Sequence, residues 1–111
     1  MLTATEPITV TISHRLGREE AKRRIDQGLA SIRGEVAAYV KSLDYSWEDD
    51  YRLDFRVSAM MQTITGRIEV YDDFIRVELG LPRLLHLLAR TIKGRIENRA
   101  AALLEGPKEK G

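Results

Sequence analysis

Between Tyr51 and Leu79 the chain alternates apolar and polar residues with a period of two, and no other feature limits its fold so tightly. Tyr51, Leu53, Phe55, Val57 and Ala59 alternate with Arg52, Asp54, Arg56 and Ser58. Ile64, Gly66, Ile68 and Val70 alternate with Thr65, Arg67 and Glu69, and Ile75, Val77 and Leu79 with Phe74, Arg76 and Glu78. Such segments are strands with one apolar face and one wet face, so the stretch predicts an antiparallel meander that needs a cover on one side. Tyr71-Asp72-Asp73 supplies a tight reversal. Met60-Met61-Gln62 is a weaker turn, without glycine or proline.

The flanking segments supply the cover. Ile8, Val10 and Ile12 alternate with Thr9, Thr11 and Ser13 after Pro7, and Leu43, Tyr45 and Trp47 alternate with Asp44, Ser46 and Glu48. Each is a further strand. Between them, a helix is expected from about Arg18 to Lys41, with an apolar stripe of Ala21, Ile25, Leu29, Ile32, Val36 and Tyr39 or Val40. Gly17 suits the N-cap, Leu16 the stapling position before it, and Glu20 the third helical position of a capping box. Gly28 and Gly34 each cost about 1 kcal/mol against alanine, which points to a bend or a close approach to the sheet. Gly80-Leu81-Pro82 ends the last strand, and Pro82 opens a second helix reaching about Leu104. Its core stripe is Leu81, Leu85, Leu88, Ile92, Ile96 and Leu103; Gly106-Pro107 stops it, and the tail Lys108 to Gly111 is expected to be mobile. The expected fold is an α+β two-layer sandwich in the order β-α-β-β-β-β-α, with two helices on one face of a five-stranded antiparallel sheet. The first strand is expected beside the last. The arrangement looks like a shortened helix-grip fold. One domain, 1–111 with an ordered core of about 7–105, is what this length allows.

Several function classes are excluded or disfavoured. There is no cysteine, which removes disulfides, thiolate metal sites and cysteine nucleophiles. No histidine pair has HExxH spacing, no glycine cluster forms a phosphate loop, and no G-x-S-x-G elbow is present. No apolar run approaches the roughly 20 residues of a membrane helix. Met1 to Glu6 lack the marks of a signal peptide, so a cytoplasmic location is expected. Asp49-Asp50 and Asp72-Asp73 read as solvated turns rather than cation sites. The net charge of +1 gives no general case for nucleic acid. The basic run Arg18, Lys22, Arg23, Arg24 is interleaved with Glu19, Glu20 and Asp26 and reads as a solvated helix face without a stacking platform.

Two features stand out as candidate sites. The junction His14-Arg15-Leu16-Gly17 carries one of the two histidines, expected to hydrogen-bond backbone rather than to catalyse. The start of the second helix reads Leu84-Leu85-His86-Leu87-Leu88, with Leu84 at the edge of the stripe and Leu87 outside it. With Arg83, Arg90 and Lys93 beside them, Leu84 and Leu87 are candidates for contact with a hydrophobic surface or partner.

Laid out in this order, the chain resembles the family of putative polyhydroxyalkanoic acid system proteins, also called the granule-region family. The resemblance rests on Ile8-Thr9-Val10, His14-Arg15-Leu16-Gly17, Glu20-Ala21, Arg23-Arg24-Ile25, Trp47, Arg52, Thr65-Gly66-Arg67-Ile68 and Asp72-Asp73. It closes with Val77, Leu79, Leu81-Pro82, Leu84-Leu85 and Ile92-Lys93-Gly94-Arg95, and departs at Ala59-Met60-Met61, where glycine is expected. It implies an association with bacterial polyester storage and carries over no catalytic, metal or cofactor residue. The expected function is a non-enzymatic accessory protein that touches polyhydroxyalkanoate granules or their coat proteins, with a homodimer through the sheet edge or second helix left open. One alternative is a small hydrophobic-ligand carrier with a cavity lined by Trp47, Phe55, Met61 and Ile92; another is a nucleic-acid module using the first helix.

Overall fold

The computed structural model describes residues 7–38, 40–59 and 61–105, the side chains of Arg83 and Leu84 excepted. Tyr39's place on the first stripe, Met60 in its turn, the Gly106-Pro107 stop and the C-terminal tail lie outside the described residues. The elements follow the expected order: β1 (Ile8–Ser13), α1 (Arg18–Val36), β2 (Ser42–Asp49), β3 (Arg52–Ala59), β4 (Gln62–Val70), β5 (Phe74–Gly80), a 3₁₀ helix (Arg83–Leu88) and α2 (Ala89–Glu105). The strands form one antiparallel sheet ordered β1-β5-β4-β3-β2, with β1 beside β5 as expected. The fold is an α+β sandwich.

Register sets which residues share a face. Val10 opposes Val77, Val77 opposes Ile68 and Ile68 opposes Leu53, so one apolar row crosses four strands. Ile25, Leu53, Ile75 and Val10 are the largest fully buried side chains. On the outer face, Arg67 reaches Asp54 at 3.4 Å and Arg76 reaches Glu69 at 2.5 Å. Each joins residues directly opposite on neighbouring strands, where unlike charges stabilise the pairing. Gly66 opposes Phe55, and a Cβ there would lie 2.2 Å from Phe55 Cζ and 2.8 Å from the Glu78 carbonyl oxygen. The ring occupies the space a side chain would need.

Both helices cover the inner face, but each differs from its expectation. Helix α1 ends at Val36 rather than Lys41. Ala37 N–H donates to the Gly34 carbonyl at 3.4 Å, and Lys41 N–H goes to Ser58 of β3 at 2.7 Å, so the sheet captures the chain before the helix can continue. Gly28 marks close approach to α2 rather than to the sheet: its Cβ would lie 2.3 Å from Leu103 Cδ2, whereas Gly34 faces open space. The second helix opens with a 3₁₀ segment, not an α-helix from Pro82. At 3.0 residues per turn this segment resets the phase of the leucines. Leu88, expected in the core, is 51% exposed, while Ala100 and Leu104, outside the expected stripe, are buried.

Candidate functional site

The two ends of the sheet differ in chemistry. One end holds the β1–α1 junction and the β4–β5 turn. His14 is 8% exposed and bridges them. Leu16 N–H donates to its Nδ1 at 3.1 Å, and Nε2 lies 3.1 Å from the Tyr71 carbonyl. An amide can only donate, so Nδ1 accepts and Nε2 carries the proton. The ring is neutral, with both nitrogens engaged by backbone. His14 N–H also donates to the Asp73 carbonyl at 2.9 Å. The bonding of this ring to backbone is the contact the sequence led one to expect. Gly17 caps α1 at φ 79°, ψ 157°, a conformation essentially restricted to glycine, and its carbonyl accepts from Ala21 N–H at 3.0 Å. Leu16 packs against the core. Arg15 is exposed, and Arg18 Nε reaches Asp72 Oδ1 at 3.1 Å.

Glu20 does not turn back to close a capping box. It takes Arg23 at 2.5 Å and Arg24 Nε at 2.8 Å. These hydrogen bonds, Arg23's first, hold the Glu20 carboxyl down at about 2. Arg24 also donates from Nη1 to the Leu104 carbonyl at 2.6 Å, tying α1 to the end of α2. Beside this, the sequence reading missed an aromatic pair. Tyr51 sits in the β2–β3 turn rather than in a strand, with Arg18 4.7 Å above its ring centroid. Lys22 lies 4.9 Å over Trp47, whose indole N–H donates to Asp26 Oδ1 at 2.9 Å. The Tyr51 hydroxyl bonds Glu19, which raises its pKa because phenolate beside a carboxylate is disfavoured. Aromatics at a strand end next to cations at i and i+4 of a helix were the available signal.

The opposite end carries the exposed large apolar side chains. β5 finishes at Gly80 opposite Thr65, and the β3–β4 turn lies at the start of β4, so that turn and the 3₁₀ helix share one end of the sheet. Leu87 is 94% exposed and Met61 101%, and Leu88, next to Leu87 in the chain, is half-exposed. Arg90 and Lys93 are exposed at the start of α2. Leu87 therefore lies outside the core as expected; the side chains of Arg83 and Leu84 lie outside the described residues.

Between the sheet and the two helices is an apolar cleft of about 330 Å³. Phe55 and Ile92 line it as the carrier reading expects; Trp47 and Met61 do not, because Trp47 is held by Asp26 and Met61 points to solvent. Among the described residues no group of acidic and histidine side chains is placed to hold a metal ion, and no helix is long and apolar enough to cross a membrane.

The fold and its two surfaces define a two-layer α+β protein with a polar, internally bonded end and an apolar, solvent-facing one. The model of the family described as "Putative polyhydroxyalkanoic acid system protein" matches residues 8–104, and the chain belongs to that family. No curated protein matches the chain.

Proposed function

We propose that this protein is a non-enzymatic accessory protein of polyhydroxyalkanoate storage that attaches to the granule or its coat proteins through the apolar end of the sheet. The observation that carries the reading is Leu87, 94% exposed on a short 3₁₀ helix. A leucine left in water contributes nothing to folding, and burying it elsewhere releases about 1.5–3 kcal/mol. Met61 is a further exposed apolar side chain at the same end of the sheet, and the exposed Arg90 follows Leu87 three residues on. The family supports the link to polyester storage. The proposed location is the granule surface in the cytoplasm.

The nucleic-acid alternative is weakened by the same geometry that reveals its aromatic rings. The Trp47 and Tyr51 faces are covered by Lys22 and Arg18, and the basic face carries the carboxylates of Glu19, Glu20 and Asp26.

Co-sedimentation with washed granules and with bare polyester beads tests the reading. Wild-type protein should pellet with granules, and Leu87→Ser should lose at least half of that binding without a fall in melting temperature. Pelleting with both supports means direct contact with polyester; pelleting with granules alone means a coat-protein partner. Undiminished binding by Leu87→Ser removes this surface from the function, and pelleting with neither support removes granule attachment itself.

A further inference from the structure

The cleft is a second feature, separate from the Leu87 surface. Ile32 and Val36 of α1, Val57 and Ile64 of the sheet, and Ile92 and Ile96 of α2 all line it, and all six are only half-buried. In a filled core of this size such residues would be closed over. The helices meet at Gly28 and Leu103 and are bonded from Arg24 to Leu104, both toward the C-terminal end of α2. Along the earlier turns of α2 the space between the layers is left open.

Its lining has one chemical exception. Two charged residues belong to its wall, Arg95 and Arg99, both exposed and one turn apart on α2. Both contribute only their aliphatic stems to the wall, so the inside of the cleft is wholly apolar and the exposed guanidinium groups lie just outside it, in solvent. Arg99 is bound by Glu35 across the two helices. Arg95 has no hydrogen-bond or ion-pair partner among the described residues, although it stands at the edge of an apolar space.

The geometry points to a binding site for an unbranched aliphatic carboxylate, its chain in the cleft and its carboxylate on Arg95. A guanidinium is the side chain best matched to a carboxylate, which it can meet with two parallel hydrogen bonds. The walls offer no hydrogen-bonding group, so the buried part of the ligand must be hydrocarbon. The volume sits at the small end of the range for ligand pockets, roughly 300–1,000 Å³. A water molecule takes up about 30 Å³ of liquid, and a methylene is of similar bulk, so the cleft admits a chain of about ten carbons. The Arg99–Glu35 pair spans the two helices beside the opening and keeps Arg99 from competing for the same carboxylate.

Isothermal titration with decanoate, below its micelle concentration, tests the assignment. Decanoate should bind with a dissociation constant below about 1 mM, and butyrate, with too little chain to desolvate, should not. Decan-1-ol should bind about tenfold more weakly, and Arg95→Gln should bring acid and alcohol to the same affinity. A hydroxyl at the far end of the chain, as in 10-hydroxydecanoate, should also weaken binding about tenfold, because it would be buried without a partner. Ile92→Phe and, independently, Val36→Phe fill the space and should abolish binding while circular dichroism and melting temperature show a folded protein. Absence of decanoate binding overturns the assignment, as does binding unchanged in both folded filling variants. A dimer in sedimentation equilibrium that either filling variant dissolves would place a second copy in the cleft and overturn it too. The filling variants should still pellet with granules and Leu87→Ser should still bind decanoate, so this assignment and the granule reading fail separately.

Discussion

His14 illustrates how one side chain holds an otherwise polar junction closed. Its two ring nitrogens serve two backbone groups 55 residues apart in the chain, Leu16 N–H and the Tyr71 carbonyl. Replacement by phenylalanine keeps the bulk and removes both partners, leaving a donor and an acceptor unpaired in a site that is 8% exposed. Each such group costs about 1–3 kcal/mol, so His14→Phe should lower the free energy of urea unfolding by about 2 kcal/mol or more. A loss below about 0.5 kcal/mol would mean that water replaces the ring at no expense. The sequence could suggest this role but not its partners. A histidine between a strand and a helix N-cap has backbone groups nearby, which is why a bond to backbone was expected. Tyr71 came within reach only through the β1–β5 pairing. Trp47 and Tyr51 were harder still: they continue the apolar alternation of their strands, and only the bulge between Trp47 and Asp49 and the turn after it take Tyr51 out of the strand to the side of α1.

At the scale of elements, period two was decisive for the strands because a slip of one residue would turn every apolar side chain into water. All five strands follow from it, and the short turns of the meander fix the order of four of them. The helices were less legible where the repeat changed. A period of 3.6 carried through Arg83–Leu88 places Leu88 inside, but these residues form a 3₁₀ helix, which advances 120° per residue instead of 100° and shifts the phase. The turn between β3 and β4 shows the opposite case, a local misfit that the family resemblance exposed. The resemblance implied glycine within Ala59-Met60-Met61, and Met61 has φ 69°, the left-handed region. A left-handed residue with a Cβ carries about 1–2 kcal/mol of strain, and asparagine tolerates the conformation better. Met61→Asn should therefore stabilise the fold by about 0.5–1 kcal/mol in thermal unfolding. If the apolar end contacts granules, the same substitution should weaken co-sedimentation, a gain of stability with a loss of binding. Destabilisation would show that the methionine side chain contributes more than its backbone conformation costs.

Over the whole molecule, apolar material is distributed unevenly, and this was the least legible property. Spacing shows that a helix has an apolar face and that a sheet has one; it does not show whether the two faces meet. Here they meet at the His14 end, where Ala21, Ile25, Leu53, Val70, Ile75, Ala100 and Leu104 are buried, and part along the early turns of α2, where Ile64 and Ile92 are half-buried although Leu43, Leu79 and Leu81 of the same end stay buried. A truncation experiment can read that gradient. Leu53 is 0% exposed, so Leu53→Ala removes a side chain from a closed environment and leaves a cavity, at a cost of about 2–5 kcal/mol. Ile64→Ala deletes a similar volume, but from the wall of a space that is already open. Little new cavity surface forms and part of the side chain was in water, so its loss should be about half that of Leu53→Ala or less. Urea unfolding with an unchanged slope would compare the two on one scale. Saturating decanoate should then separate them further: it stabilises the wild-type fold by mass action, and Ile64→Ala, with its wall cut back, should gain less from the ligand than Leu53→Ala, whose cleft wall is intact. Equal losses for the two truncations would mean that the cleft is closed in solution, and that the whole inner face packs as one core.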